Sequence, residues 1–346
     1  MPEQFPAHPR GPTPFADLNA VLAHFLTEVR AVLGENFVGA YLQGSFAVGD
    51  ADEHSDCDFM VAIERDLTPA ETLRLDAVHK AIHDLPYEPW RHRLEGSYAP
   101  VAVLRRLTAE PRDPPGEPRG PDWKDPGLGD GPARWYPFVY LDHGHQRTAR
   151  SAHDNTQVVR WSLREKGVVL AGPDPRTLID PVTPAMLREE IMETMNLVAT
   201  LGLEPMSMRA WQSFWVGLHC RMLHTLATGR VGSKKAGTAW ALEHLDRRWA
   251  PLIEKAQAIK EGSRETAMAP PDPADVETTR DFHAYALEKA TQEARARELI
   301  AQKLEAKRSG SRGGRNGWDG NARTDGKARS NYAPPPYRSH DRGKRG

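Results

Sequence analysis

The stretch Leu42-Gln43-Gly44-Ser45-Phe46-Ala47-Val48-Gly49-Asp50-Ala51-Asp52-Glu53-His54-Ser55-Asp56-Cys57-Asp58-Phe59-Met60-Val61-Ala62-Ile63 decides the fold of this chain. It reads as the end of one strand, a turn at Gly44 and Ser45, a short helical turn, a polar loop and a second strand. Asp56 and Asp58 open that strand, and Phe59 to Ile63 continue it as an apolar run. Side chains alternate along a strand, so Asp56 and Asp58 share one face while Cys57 points to the other. Two carboxylates opposite a turn that presents backbone N–H groups suit a hard divalent cation and a phosphate chain. Mg²⁺ takes oxygen ligands, usually one or two carboxylates plus phosphate oxygens. Clustered N–H groups and helix N-termini hold the phosphates themselves.

Gly44-Ser45, the Gly49-Asp50 pair, Ser55-Asp56-Cys57-Asp58 and the apolar strand behind them resemble the signature of the polymerase-beta-type nucleotidyltransferases. A bare Asp-x-Asp triplet is common, and it is the agreement of glycine, serine, spacing and strand that carries the likeness. The resemblance implies an α+β fold: a mixed-sheet nucleotidyltransferase domain, here residues 14–152, followed by helices. In such a sheet the next strand lies beside the aspartate strand. That strand reads His92 to Tyr98, with Leu94, Gly96 and Tyr98 on one face and Arg93, Glu95 and Ser97 on the other. A lone Glu in a strand is ordinarily a solvated edge residue. Beside Asp56 and Asp58, Glu95 becomes the candidate general base, which must reach an acceptor hydroxyl directly or through one water.

The chain has 346 residues, enough for about two domains. Its net charge of −1 advertises no nucleic acid partner. Two cysteines, Cys57 and Cys220, give neither a disulfide framework nor a zinc cluster and fit a reducing cytoplasm. No signal peptide and no apolar run of about eighteen residues is present, so no membrane span is expected.

In chain order, residues 1–13 are Pro-rich and expected to be disordered. A helix follows from Thr13-Pro14 to Leu33, then a strand over 37–42. A second helix starts at Thr68-Pro69. Val101 to Leu104 continues the Glu95 strand past Pro100. Residues 108–134 form a Pro/Gly-rich insert, a loop or flap, before a strand over 134–141. His143-Gly144-His145 has metal-type spacing but no further ligand near it, and reads as loop polarity. Beyond residue 153 the pattern turns helical: a short helix over 158–163, a strand or turn over 167–173, then helices over 184–201, 208–228, from Ser233 to 245, 249–260 and 273–307. Residues 307–346 form a Gly-rich tail with eleven basic and three acidic residues; it reads as a solubilising tail, with weak RNA contact the less favoured alternative.

The helical part, residues 153–306, sharpens the resemblance. Cys220 to Lys235, Ala239-Trp240-Ala241-Leu242, Leu170-Ala171-Gly172-Pro173 and Asp180-Pro181-Val182 are similar to the C-terminal domain of streptomycin/spectinomycin adenylyltransferases. The resemblance implies that Ser45, Arg221 and Lys234 hold the ATP triphosphate with Ser55 beside it, that Asp56 and Asp58 carry Mg²⁺, and that Glu95 is the base. It implies transfer of AMP from ATP to a hydroxyl of a small molecule, an aminoglycoside, with release of pyrophosphate. One departure stands out. The family's acceptor pocket uses acids just before the Arg221 helix, where this chain has only Glu204 and carries Arg209. Trp211 or Trp215 offers a stacking surface there, although core packing is the ordinary role of such a stripe. Two alternatives therefore stay open: nucleotidyl transfer to another acceptor (a metabolite, a protein or an RNA end), and a non-catalytic nucleotide-binding scaffold.

Overall fold

The computed structural model describes residues 11–106, 138–142, 147–203 and 206–312. The 108–134 insert, the His-x-His pair, Glu204 and nearly all of the basic tail lie outside the described residues. Met1–Arg295 is one compact unit. Ala296–Gly346 is a second, of which the final part of the last helix is described.

The chain opens with α1 (Ala16–Leu33), β1 (Phe37–Leu42), α2 (Gly44–Val48), β2 (Cys57–Ile63), α3 (Pro69–Ile82), β3 (Leu94–Pro100), α4 (Val101–Arg105), β4 (Phe138–Asp142) and β5 (Arg147–Ser151). Then come α5 (Gln157–Lys166), β6 (Val168–Ala171), α6 (Pro175–Leu178), α7 (Pro184–Leu201), α8 (Arg209–Thr228), α9 (Lys234–His244), α10 (Ala250–Glu261), α11 (Arg264–Met268) and α12 (Pro273–Arg312). A mixed-sheet N-terminal region is thus followed by a helical region. Among the described residues no helix is long and apolar enough to cross a membrane.

Among the described residues six strands lie in the order β5-β4-β3-β2-β1-β6. Only β2 and β3 run parallel; the other neighbours are antiparallel. Strand alternation explains why the sheet is covered on both faces. Cys57, Phe59, Val61 and Ile63 of β2 pack with Leu18, Leu22, Phe25 and Leu75 of α1 and α3. Met60 and Ala62 face the other way, against Ala99, Val103, Phe138 and Leu163. Successive side chains of β2 therefore join opposite layers, as period two requires. A third core belongs to the helices and centres on Met195, Val216, Leu223, Ile253 and Phe282. Thr68 and Glu71 form a capping box with Pro69 in the first turn, the local reason α3 begins where it does.

Several expectations are corrected. Val101 to Leu104 forms α4 rather than a continuation of β3; Pro100, with ψ of 131°, ends the strand and begins the helix. Thr13 belongs to the ordered fold: it is buried, and its N–H and hydroxyl both donate to Asn19 Oδ1. Helix α1 starts at Ala16, two residues past Pro14. Strand β2 starts at Cys57, so Asp56 sits just ahead of it rather than in it. His92 lies in a 3₁₀ turn before β3. Strand β5 and the short helices α6 and α11 have no counterpart in the sequence pattern. The β5 segment, Arg-Thr-Ala-Arg-Ser, has almost no apolar residue and occupies a sheet edge, where burial leaves no pattern to read.

Candidate active site

The site begins at Gly44. Its φ of +56° opens α2 directly after Gln43, a conformation glycine adopts without strain. Glycine is needed here twice over, because a Cβ would lie 1.9 Å from Asp58 Oδ2. The Asp58 carboxyl is thereby laid against the start of α2. Ser45 follows, its hydroxyl oxygen buried and without a hydrogen-bond partner among the described residues. Ser55 holds the polar loop: its Oγ accepts from Asp52 N (2.9 Å) and donates to Asp52 Oδ1 (3.0 Å). Arg93, ahead of β3, donates to the carbonyls of Glu53 and Ser55 and pins the loop from below.

The parallel register of β2 and β3 pairs Asp58 with Glu95. Residues at one level of a parallel pair present their side chains to the same face, so the two carboxyls neighbour each other. Glu95 Oε1 accepts a hydrogen bond from the Tyr140 hydroxyl of β4. Two residues on, Ser97 shares that face and donates to Asp154 Oδ2 (2.6 Å). Gln43 Nε2 donates to Asp154 Oδ1 (3.1 Å). Asp154 is therefore a fourth carboxyl at the site, buried between Gln43, just past β1, and Ser97, in the middle of β3. Sequence reasoning misses it, because its only signal is an Asp-Asn pair ahead of a helix.

This crowding has an electrostatic consequence. Burial, then Glu95, Asp154 and Asp56, push the Asp58 carboxyl up to about 7, with Lys234 opposing. Burial also raises the pKa of Asp154. Among the described residues no group of three or more His, Cys, Asp or Glu side chains is arranged to hold a metal by itself.

The opposite wall is helical. Gly44, Ser45, Ser55, Asp56, Asp58 and Asp154 line one cleft of about 830 Å³ with Arg221 and Lys234. Lys234 is the first residue of α9, whose N-cap Ser233 accepts from Ala236 N. Arg221 comes from the middle of α8, beneath α9. Gly237 permits that approach, since a Cβ there would lie 2.7 Å from Arg221 Cγ and 3.0 Å from its Cα. Burial lowers the Arg221 pKa, and Asp50 raises it in part. Asp50 also joins the two walls: its Oδ2 accepts from Lys235 N (3.3 Å), and its Oδ1 lies 3.7 Å from Lys235 Nζ. A second cavity of about 310 Å³, mostly apolar and lined by Phe214, Val216, Ile253 and Gln257, shares Arg221, Lys234 and Lys260 with the cleft. The structure thus brings together Gly44, Ser45, Ser55, Asp56, Asp58, Arg221 and Lys234, with Glu95 in register behind Asp58.

A carboxylate-rich strand pair opposite a Gly-Ser turn and a cationic helical wall is the arrangement of a nucleotidyl-transfer site. The comparisons with known proteins point the same way. The family described as aminoglycoside adenylyltransferase, C-terminal domain, matches residues 177–289. An aminoglycoside (3'') (9) adenylyltransferase of Escherichia coli is 26% identical over 263 residues, covering 72% of this chain and 90% of that protein. The protein of the same name from Shigella flexneri is 26% identical over 251 residues, covering 69% and 86%. In fold, the chain is similar to a spectinomycin adenyltransferase from Enterococcus faecialis solved with ATP and spectinomycin. That likeness has a TM-score of 0.54 at 14% identity and covers 79% of this chain and 98% of that one. The chain therefore resembles aminoglycoside adenylyltransferases through both its sheet and its helices.

Proposed function

We propose that this protein is an adenylyltransferase that moves AMP from ATP to a hydroxyl of a small-molecule acceptor, an aminoglycoside antibiotic being the class its relatives name. The observation that carries the reading is the pairing of Asp58 with Glu95 on one sheet face, in a site whose opposite wall holds Arg221 and Lys234. A binding scaffold has no need of so costly a cluster of carboxyls.

The donor set fits Mg²⁺. Asp56 and Asp58 are the residues that would hold it, and phosphate oxygens complete such a shell. Burial first, and then the neighbouring Glu95, Asp154 and Asp56 carboxyls, disfavour the charged form of Asp58, and a divalent cation would offset that cost. When bound, the ion would neutralise phosphate charge and orient the α-phosphate. The remaining chemistry belongs to the chain. The unsatisfied Ser45 hydroxyl and the N-terminal end of α2 are available to the phosphates. Glu95, held through one oxygen by Tyr140, takes the proton of the acceptor hydroxyl. The acceptor oxygen forms a bond to the α-phosphorus as the bond to the β-phosphate oxygen breaks, and pyrophosphate departs with that electron pair. Arg221 and Lys234 stabilise the charge that grows on it.

The test is pyrophosphate release from ATP and Mg²⁺ with streptomycin, spectinomycin and other aminoglycosides. Glu95→Gln should lower kcat by roughly 10²- to 10⁴-fold while ATP binding persists. Turnover by the variant at the wild-type rate would refute the assignment of the base. Binding of ATP without release on any drug would keep the site and move the acceptor to another class.

A further inference from the structure

The cationic wall of the cleft holds more than Arg221 and Lys234. Lys235 of α9 and Lys260, in the last turn of α10, line it as well. Three of the acids lining the cleft already have partners, Glu261 among them, whose Oε1 accepts from Gln257 Nε2 at 2.9 Å. Asp50 is taken by Lys235 through both the backbone N–H and the ammonium. Asp52 is taken by His54 N at 2.9 Å and Ser55 Oγ at 3.0 Å. Arg221, Lys234 and Lys260 make no side-chain hydrogen bond or close ion pair among the described residues, although Asp58 feels the charge of Lys234 and Arg221 that of Asp50. The three cations come from three different helices, α8, α9 and α10, yet border the same cleft and the same adjoining cavity.

Two of these cations, Lys234 and Lys260, repel each other across the gap between α9 and α10. Burial and then Lys234 lower the pKa of Lys260, and Asp50 and Asp52 offset this only in part. Folding gains nothing from such convergence, and a surface lysine can turn to solvent at little cost. An anion of several charges is what would repay it, because each phosphate adds charge-assisted hydrogen bonds. Across the cleft, on the reading above, Asp56, Asp58 and Glu95 mark the reacting α-phosphate, and Ser45 faces the phosphate chain. The triple of cations faces the remainder of the chain.

We propose that Lys260 is a third phosphate-binding cation, which with Arg221 and Lys234 grips the β- and γ-phosphates of the nucleotide and so sets the preference for a triphosphate donor. This assignment rests on the adenylyltransferase reading above. Lys260 acts on the leaving group, so it serves donor binding and the charge on departing pyrophosphate, and leaves proton transfer at Glu95 untouched.

Calorimetry with the full chain and Mg²⁺ tests it, using ATP and inorganic pyrophosphate as probes. Lys260→Ala should weaken both about tenfold, the loss of one charge-assisted contact. Lys260→Arg should restore most of the affinity. The melting temperature should stay put, since Lys260 makes no ion pair within the described chain. Unchanged binding of both probes by Lys260→Ala overturns the proposal. So does weakening of ATP with pyrophosphate unaffected, which would place Lys260 on the nucleoside side. Wild-type protein that binds neither probe would instead remove the adenylyltransferase reading, and the proposal with it; the wild-type titration separates the two failures.

Discussion

Gly44→Ala is the sharpest perturbation of this site. The substitution adds one carbon to a residue at φ +56° and places it 1.9 Å from Asp58 Oδ2, 2.7 Å from Asp58 Cγ and 3.2 Å from Asp58 Cβ. Ordinary contact begins at 3.4 Å, so the carboxyl oxygen must retreat by about 1.5 Å. The left-handed conformation itself costs an alanine roughly 1–2 kcal/mol. That amounts to a fall in melting temperature of about 1–3 °C for a chain of this size. The kinetic cost should be larger. Misplacing a catalytic group by about 1 Å can cost 10²-fold, so kcat/KM should fall by at least about that factor. Pyrophosphate release and thermal unfolding, measured side by side, read the two effects separately. A variant that loses the expected stability but keeps kcat/KM within about threefold of wild type would show that the position of Asp58 against α2 does not govern the reaction, and would refute the reasoning.

Two further outcomes concern the layers that support the site. Gly237→Ala places a Cβ 3.0 Å from the Arg221 backbone, so α9 must lift from α8; a loss of about 1–3 kcal/mol in denaturant unfolding and weaker ATP binding in calorimetry should go together. His79 is buried beside Phe59 with Nε2 2.8 Å from the Tyr98 hydroxyl, and burial lowers its pKa from 6.5 to about 3. Its native form is neutral while the unfolded chain takes up the proton first, so its contribution is present above pH 6.5 and is lost as pH falls from there towards 3. Urea unfolding should show a slope of about 1.4 kcal/mol per pH unit from this group in that window, and His79→Gln should remove it; an unchanged slope would count against a neutral buried imidazole. His219, lowered to about 4 by burial, keeps part of the acid sensitivity in the variant.

The residues legible in the sequence and those that are not divide along sequence separation. Ser45, Asp56 and Asp58 lie within one hairpin, where a turn glycine, a fixed spacing and strand alternation act locally. Glu95 is reachable one step further out, because period two alone separates Glu95 and Ser97 from Leu94 and Tyr98. Arg221 and Lys234 carry no local signal of their own and come from resemblance alone. Asp154 and Lys260 escape altogether. An aspartate before a helix and a lysine near a helix end are ordinary solvated residues unless something across the fold gives them a role.

Local chemistry therefore determined that the chain has a nucleotidyltransferase-like hairpin and a helical partner, since turns, caps and alternation act over a few residues. Tertiary structure decided the rest. It paired Asp58 with Glu95, buried Asp154 between Gln43 and Ser97, and brought Lys260 from α10 to the cleft that holds Ser45. Charge interactions act through space with no regard to position along the chain, so the electrostatics of a cleft built from elements about two hundred residues apart appear only once those elements are packed.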